Sequence, residues 1–131
     1  MSVKARDIFQ HAESFFDPKN CDEIVARMLI NRAYYGIYGY VLSEVENRLF
    51  YDLDKSNPSV HQALINTFKY KKCSSVDQQK LIAKIATQLR QARLLRSNAD
   101  YELQYHITHK DTEQALLLGK QIFEMIELLD I

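Results

Sequence analysis

The sequence predicts an all-α protein, an antiparallel four-helix bundle with one additional short helix. Only three glycines and two prolines interrupt its 131 residues. Apolar residues recur at the i, i+3 and i+4 spacing of a helix, and the strict alternation of a half-buried strand is nearly absent. Because 47% of the residues are apolar, the chain can bury one core of its own, and we expect a single domain over residues 1–131.

The first predicted helix carries a single apolar stripe. Its apolar positions are Ala5, Ile8, Phe9, Ala12, Phe15 and Phe16. Pro18 lacks a backbone donor and disfavours the helical conformation in Asp17, the residue before it. The segment 17–20 therefore ends this helix.

The second predicted helix, from about Asp22 to Arg48, is apolar on nearly all sides in its middle part, which is typical of a central, buried helix. Gly36 and Gly39 each cost about 1 kcal/mol of helix propensity, so we expect another backbone to pack closely against them. Arg32 lies in the same helix. A cation there should either pair with a carboxylate or line a cleft.

Three further helices follow. A polar connection over residues 50–58 precedes a short third helix capped by Ser59, and a basic loop over residues 69–73 follows it. The fourth helix begins at Ser75, which has capping-box spacing to a glutamine, and continues to about Asn98. Residues 100–110 lack a helical period and are predicted to form a loop or a frayed helical end. The last helix is amphipathic, with apolar residues from Ala115 to Leu129.

The charges are balanced overall but unevenly distributed. The chain has 17 basic and 17 acidic residues, yet residues 69–99 contain eight of the basic ones and a single acid, Asp77. These eight are Lys69, Lys71, Lys72, Lys80, Lys84, Arg90, Arg93 and Arg96. Such a segment can form a positive face for phosphates, although a solvated charged surface is the commoner explanation.

Other classes of protein are disfavoured. No run of about 18 apolar residues is long enough to cross a bilayer, and acidic residues follow the N-terminus too soon for a signal peptide. Cys21 and Cys73 are isolated, as is common for thiols of a reducing compartment. His106 and His109 have no recognised metal-ligand spacing. We therefore expect a cytoplasmic protein that does not bind a membrane, a metal or a cofactor.

Three short patterns, taken together in this order, resemble those of a known family. They are Asn31-Arg32-Ala33-Tyr34-Tyr35-Gly36-Ile37-Tyr38, Ser59-Val60-His61 and Arg96-Ser97-Asn98-Ala99-Asp100-Tyr101. The first is similar to the R-A-Y-Y segment in the long second helix of the HEPN family, in particular its short stand-alone bacterial and archaeal members. The second resembles the Ser/Thr-His pair that opens that family's short third helix, and the third the R-x-x-A-D-Y ending of its fourth. The resemblance covers essentially the whole chain.

The resemblance implies a bundle that commonly forms a homodimer and places two arginine motifs across a shared cleft. Many family members are metal-independent endoribonucleases that act as toxins or in defence against phage. Others lack the catalytic pattern and bind nucleotides or partners, often beside an antitoxin of nucleotidyltransferase fold. An RNA- or nucleotide-binding protein of a toxin–antitoxin or phage-defence system is therefore the leading hypothesis, and a non-catalytic module that docks such a partner is the alternative.

Metal-independent cleavage of RNA needs a group that titrates near neutrality and a fixed cation that stabilises charge on the phosphorane. By the resemblance, Arg96 supplies the cation and is expected to line an open groove. Tyr101 stands where the nuclease members have a histidine, and an unperturbed phenol is a poor base because its pKa is about 10. The catalytic candidates are therefore Arg96 with Tyr101 or, if its loop folds back, His106.

The candidate RNA- or nucleotide-binding residues are Arg32, Arg93, Asn98 and Asp100. Each candidate also has a structural interpretation. Arg96 and Asp100 are spaced for an i, i+4 salt bridge, and His61 is interpreted as a cap or helix-terminal hydrogen bond. The tyrosines of the second helix could stack on bases, but their place in the most apolar helix favours the core. They are Tyr34, Tyr35, Tyr38 and Tyr40.

Overall fold

Five α-helices make up the computed structural model, which describes residues 3–130. They are α1 (Ala5–Phe15), α2 (Glu23–Glu44), α3 (Val60–Lys69), α4 (Val76–Tyr101) and α5 (His109–Glu127), and a π-helical turn, Val45–Leu49, continues α2. The described residues contain no strand, so the predicted all-α fold is confirmed. Met1, Ser2 and Ile131, at the ends of the predicted domain, lie outside the described residues.

Helices α1, α2, α4 and α5 form the bundle, and each runs antiparallel to the one before it. Pairs of contacts show these directions. Helix α1 meets α2 at Ala5–Gly39 and Phe9–Gly36. Helix α2 meets α4 at Asn31–Asp100 and Tyr35–Arg96, and α4 meets α5 and the residues after it at Gln88–Gln121 and Gln78–Leu128. Helix α3 packs against α4 as the additional short helix. It has 10 residues, and α1 is barely longer with 11.

The core lies around α2, which packs against α1, α4 and α5. Its largest fully buried apolar side chains are Phe9, Ile30, Ile37, Val41, Val45, Phe68, Ile82, Ile85, Ile122 and Ile126. Burial of one such side chain contributes about 1.5–3 kcal/mol. The central position predicted for α2 is therefore correct, although Ile24, Met28 and Tyr35 on one of its faces remain exposed.

The two glycines of α2 allow α1 to approach closely, as predicted. A Cβ atom added to Gly36 would lie 2.7 Å from both the backbone nitrogen and the Cβ of Phe9. A Cβ atom added to Gly39 would lie 2.8 Å from the Cβ of Ala5. The loss of helix propensity at these positions is therefore offset by the packing of two backbones.

Gly36→Ala is expected to lower the free energy of unfolding by about 1–3 kcal/mol, because overpacking against a backbone outweighs the gain in helix propensity. Gly39→Ala should destabilise less, since its added methyl group meets only another methyl group. In the double variant Gly39→Ala with Ala5→Gly, most of that loss should be recovered. Urea unfolding of Gly36→Ala, Gly39→Ala, Ala5→Gly and the double variant measures these effects. Wild-type stability of Gly36→Ala would contradict the close contact.

Helix α4 is longer than predicted. The sequence predicts an end near Asn98 followed by a loop or a frayed helical end, whereas α4 continues to Tyr101, so Asp100 and Tyr101 lie in its last turn. The reason is Arg27 of α2, whose guanidinium donates hydrogen bonds to backbone oxygens of the last turn and of the loop beyond it. Most of these oxygens have no backbone donor in the described chain. The acceptors are the carbonyl oxygens of Asn98, Ala99, Glu102, Leu103 and Tyr105, at 2.6–3.5 Å.

The starts of α3 and α4 follow the predicted caps, with one difference, and α5 also begins at a cap. The hydroxyl groups of Ser59 and Ser75 accept hydrogen bonds from the third backbone N–H beyond them, and Thr108 forms a complete capping box with Asp111. The side chain of Gln78 does not complete the box at Ser75. It instead forms hydrogen bonds with the backbone oxygen of Leu128 and the backbone nitrogen of Asp130, which connect residues 128–130 to α4. Within residues 3–130, no helix has the length and hydropathy needed to cross a membrane.

Candidate functional site

The last three turns of α4 face α2 and the start of α3. Arg93, Arg96 and Asp100 recur there at spacings of three and four residues, so their side chains lie on one side of α4. The cap at Ser59 fixes the first turn of α3, and the aromatic segment of α2 lies opposite. Three of the predicted site residues are thus brought to one end of the bundle.

Arg96 is the centre of this cluster and is buried, with 7% of its surface exposed. Its Nε lies 3.5 Å from Oδ2 of Asp100, an ion pair without hydrogen-bond geometry. Its Nη2 lies 3.3 Å from the hydroxyl oxygen of Tyr35 and 3.4 Å from Nε2 of His61. The predicted salt bridge is therefore present, but Arg96 also has a polar partner on α2 and another on α3.

Three aromatic rings surround the guanidinium. Its central carbon lies 5.4 Å from the ring centre of Tyr34, 5.5 Å from that of Tyr35 and 5.6 Å from that of Tyr101. Cation–π contacts of this kind contribute about 0.5–2 kcal/mol, more where water is excluded. The expectation that Arg96 lines an open groove is not met in this chain by itself, because the rings and Asp100 enclose the charge.

The tyrosines divide between core and surface. Tyr34 is buried, and Tyr38 and Tyr40 are half-buried, as the structural interpretation predicts. Tyr35 is 46% exposed and Tyr101 is 66% exposed, although both rings contact Arg96. These two rings therefore cover a buried cation while keeping a surface in contact with solvent.

His61 makes contacts that sequence reasoning did not assign to it. Its Nδ1 lies 2.8 Å from the hydroxyl oxygen of Tyr34, and its Nε2 faces Arg96. Because a guanidinium can only donate, Nε2 must be the acceptor, and the proton of the neutral ring lies on Nδ1, where it donates to Tyr34. Burial, followed by the charges of Arg96 and Arg93, lowers the pKa of His61 below its ordinary value.

Tyr34 keeps its proton beside His61. Burial raises the pKa of Tyr34 far above its ordinary value, and the nearby charges of Arg96 and Arg93 only partly oppose this. The pair at neutral pH is therefore a neutral imidazole and a neutral phenol. The signal that could have identified the pair in the sequence is the occurrence of Tyr34 and His61 in two of the three family-like patterns, but only packing shows that they touch.

The lowered pKa of His61 predicts a dependence of stability on pH. The unfolded chain takes up a proton at His61 near pH 6.5, before the native chain does, so native stability is complete above that pH and declines as the pH falls through the folded pKa. His61→Gln should make this acidic decline shallower. Urea unfolding between pH 7.5 and 5 measures it, with His11→Gln, at an exposed histidine of α1, as the control. Equal slopes in the wild type and His61→Gln would contradict the assignment.

Arg93 is anchored to the start of α3. Its Nη1 donates to Oε1 of Gln62 at 3.0 Å, and its Nη2 donates to the hydroxyl of Ser59 at 3.3 Å. Both acceptors are neutral, so the positive charge is not cancelled by an ion pair within the described part of the chain. Arg93 and Arg96 together therefore make the surroundings of His61 positive.

A hollow of about 490 Å³ lies on the other side of Asp100, between α2 and the end of α4. It is lined by Arg27, Met28, Asn31, Arg32, Ala99, Asp100 and Tyr101. Asn31 donates to Oδ2 of Asp100 at 2.8 Å. Arg32 is exposed and has no carboxylate within 4.0 Å among residues 3–130. Of its two predicted roles, pairing with a carboxylate or lining a cleft, it therefore has the second.

Two predicted site residues do not join the cluster. His106 is 82% exposed at its side chain and lies 3.6 Å from Glu23, in the loop before α5. Asn98 contributes its backbone oxygen to Arg27, and no hydrogen bond of its side chain is present in the described chain. The structure thus brings together Arg32, Arg93, Arg96, Asp100 and Tyr101 and adds His61 to them.

Across residues 3–130, no three His, Cys, Asp or Glu side chains converge as metal ligands would. Comparison of the chain with protein-family models, with curated proteins and with solved structures found no match.

Proposed function

We propose that this chain is a HEPN-type protein that binds RNA or a nucleotide at the arginine-rich end of α2 and α4. The observation that carries the proposal is the placement of Arg32 and Tyr101 in one hollow. Arg32 is an exposed cation with no carboxylate partner among residues 3–130 and suits a phosphate, and the exposed ring of Tyr101 suits a base. Asn31 and Asp100 between them present a donor and an acceptor to the edge of a base.

The catalytic version of the proposal is a metal-independent endoribonuclease in a toxin–antitoxin or phage-defence system. The buried guanidinium of Arg96 supports it, because a cation in a water-poor site stabilises developing charge more strongly than one in water. The 2′-hydroxyl would attack the adjacent phosphorus, with Arg96 stabilising the charge on the phosphorane oxygens. Cleavage should then persist in a chelator.

Binding is tested with a labelled single-stranded oligoribonucleotide and fluorescence anisotropy. Arg32→Ala should weaken binding about tenfold, as expected for a charge-assisted phosphate contact. It should also reduce the slope of log affinity against log salt by about 0.7, the value for one phosphate contact of a single strand. Lys84→Ala, which removes a charge from an exposed position of α4, is the matched control. Equal losses of affinity in Arg32→Ala and Lys84→Ala would show that the oligonucleotide is bound by unspecific charge attraction.

A homodimer is part of the proposal, and exposed apolar side chains beside the site support it. Ile24, Met28 and Tyr35 lie on one face of α2, and Leu94 and Tyr101, seven residues apart, share a face of α4. Met28 and Tyr101 line the same hollow, so the two faces adjoin. A two-fold interface here would bring two copies of Arg32 together. Met28→Glu should therefore yield a monomer in sedimentation experiments.

The alternative function is a non-catalytic module that docks a nucleotidyltransferase-like partner. The same apolar face supports it, as does the acidic last helix, where Glu113, Glu124 and Glu127 are exposed. Co-expression with the product of a neighbouring reading frame tests it. A stable complex that Met28→Glu disrupts, formed by a chain that binds no oligonucleotide, would favour this alternative over the proposal above.

A further inference from the structure

His61 has the properties that the predicted proton-transfer residues lack. Tyr101 carries a phenol, and His106 lies in a different part of the surface beside Glu23. His61 is the histidine that touches Arg96, and its ring is only partly buried. It therefore combines a side chain that ordinarily titrates near neutrality with direct contact to the cation of the site.

We propose that His61 is the general base of phosphodiester cleavage at this site, with Tyr34 as the residue that positions its ring. This inference rests on the proposed function, because it assumes that RNA binds beside Arg96. The geometry that carries it is the row formed by the hydroxyl of Tyr34, the imidazole of His61 and the guanidinium of Arg96, with separations of 2.8 Å and 3.4 Å.

The hydrogen bond to Tyr34 selects the form of the imidazole that can act. With the proton on Nδ1 and donated to the phenol oxygen, the lone pair of Nε2 points towards Arg96. The phenol oxygen also stabilises the imidazolium that forms when Nε2 takes up a proton. The charged groups that face the ring are Arg93 and Arg96, both from α4. Burial and, after it, these two charges lower the pKa of the ring, so the imidazole is unprotonated at neutral pH, and α2 contributes uncharged tyrosines.

The rings of Tyr35 and Tyr101, which cover the guanidinium but are themselves exposed, must move aside for a phosphate to reach Arg96. The contact between Arg96 and Nε2 is long, so the phosphate can then replace it. When the phosphate is in place, Arg96 donates to a non-bridging oxygen and Nε2 is free to accept the proton of the 2′-hydroxyl. The 2′-oxygen then forms a bond to phosphorus, and the bond from phosphorus to the 5′-oxygen breaks. The 5′-oxygen leaves with the electron pair and takes a proton from water, while the imidazolium returns its proton to water. The products are a 2′,3′-cyclic phosphate and a 5′-hydroxyl, and no further reactant is needed.

The test compares cleavage and binding by the full chain in a chelator. His61→Gln should slow cleavage of an oligoribonucleotide at least 100-fold, the usual contribution of a general base. It should change the affinity for an uncleavable oligonucleotide, with 2′-deoxy sugars, by less than threefold. His11→Gln is the matched control and should cleave as the wild type does. Addition of imidazole to His61→Ala should restore part of the lost rate, an effect that a purely structural role would not produce.

The pH profile gives a second readout. The cleavage rate of the wild type should fall on the acid side as Nε2 becomes protonated, and this fall should be absent from the residual activity of His61→Gln. Tyr34→Phe should shift the acid limb and lower the maximal rate with little change in affinity for the uncleavable oligonucleotide, as expected of a positioning residue.

The outcomes separate this inference from the proposed function. If the wild type binds and cleaves RNA and His61→Gln cleaves it equally well, the role of His61 is overturned. Loss of cleavage in His106→Gln alone would overturn it as well. Binding of the uncleavable oligonucleotide by a wild type that cleaves no RNA would also overturn it, while the proposed binding would stand. A chain that binds no oligonucleotide would remove the proposed function, and this inference with it.

Discussion

Arg27→Ala is expected to lower the free energy of unfolding by about 2–4 kcal/mol, because a partly buried cation satisfies several backbone groups at once. The side chain of Arg27 is 14% exposed and donates to five carbonyl oxygens at the end of α4 and in the loop beyond it. Without it, three of these oxygens lose their donors, because among the five only those of Asn98 and Glu102 also accept from a backbone N–H in the described chain. The helix also loses a favourable charge at the negative end of its dipole.

The control for Arg27 is Arg32, five positions along the same helix. Arg32→Ala removes the same charge from an exposed position and should change stability by no more than about 0.5 kcal/mol. Arg27→Lys keeps the charge but loses the forked donors, so an intermediate loss is expected. Urea unfolding measures all three. Similar values for Arg27→Ala and Arg32→Ala would show that the carbonyl contacts contribute little.

Arg27→Ala should also loosen the site before the whole chain unfolds. Arg27 holds the turn that carries Asp100 and Tyr101, so its loss should speed hydrogen exchange of the amides of residues 99–105 more than those in the middle of α4. If exchange accelerates uniformly, Arg27 stabilises the bundle as a whole and not the end of α4.

Arg96→Ala is expected to lower the free energy of unfolding by about 3 kcal/mol, because it leaves the carboxylate of Asp100 without its cation and opens a space among three rings. The ion pair lies under the surface, with 8% of the Arg96 side chain and 20% of the Asp100 side chain exposed. Arg96→Lys keeps a charge but cannot reach Asp100, Tyr35 and His61 together, and it should lose about half as much.

A double-mutant cycle with Asp100→Asn isolates the ion pair from the other contacts. The coupling between the two positions should be about 1–3 kcal/mol, since both residues belong to one network that also includes Asn31. A coupling near zero would mean that the aromatic rings, and not Asp100, stabilise the guanidinium. Oligonucleotide binding by Arg96→Lys, whose fold is expected to persist, then reports the functional part of the role of Arg96.

Much of the fold follows from local rules in the sequence. The helix at Ser59, the break at Pro18 and the close approach at Gly36 each depend on residues within about four positions, or on the absence of a side chain. The end of α4 lies beyond the predicted one for the opposite reason. Its last turn is stabilised by Arg27, more than 70 positions away along the chain, and no local pattern encodes that contact.

The candidate site shows the same division. From the sequence, Arg32, Arg93 and Arg96 are expected on the second and fourth helices. Asp100 and Tyr101 are expected just beyond the end of the fourth helix. The packing of the helices is needed to show that Arg96 is buried, that His106 lies near Glu23 and that His61 meets Arg96 across 35 positions. The difference comes from the distance along the chain over which each effect acts. Helical periodicity and capping act within one or two turns, whereas the burial of a charge and the partner of an imidazole depend on how separate helices pack.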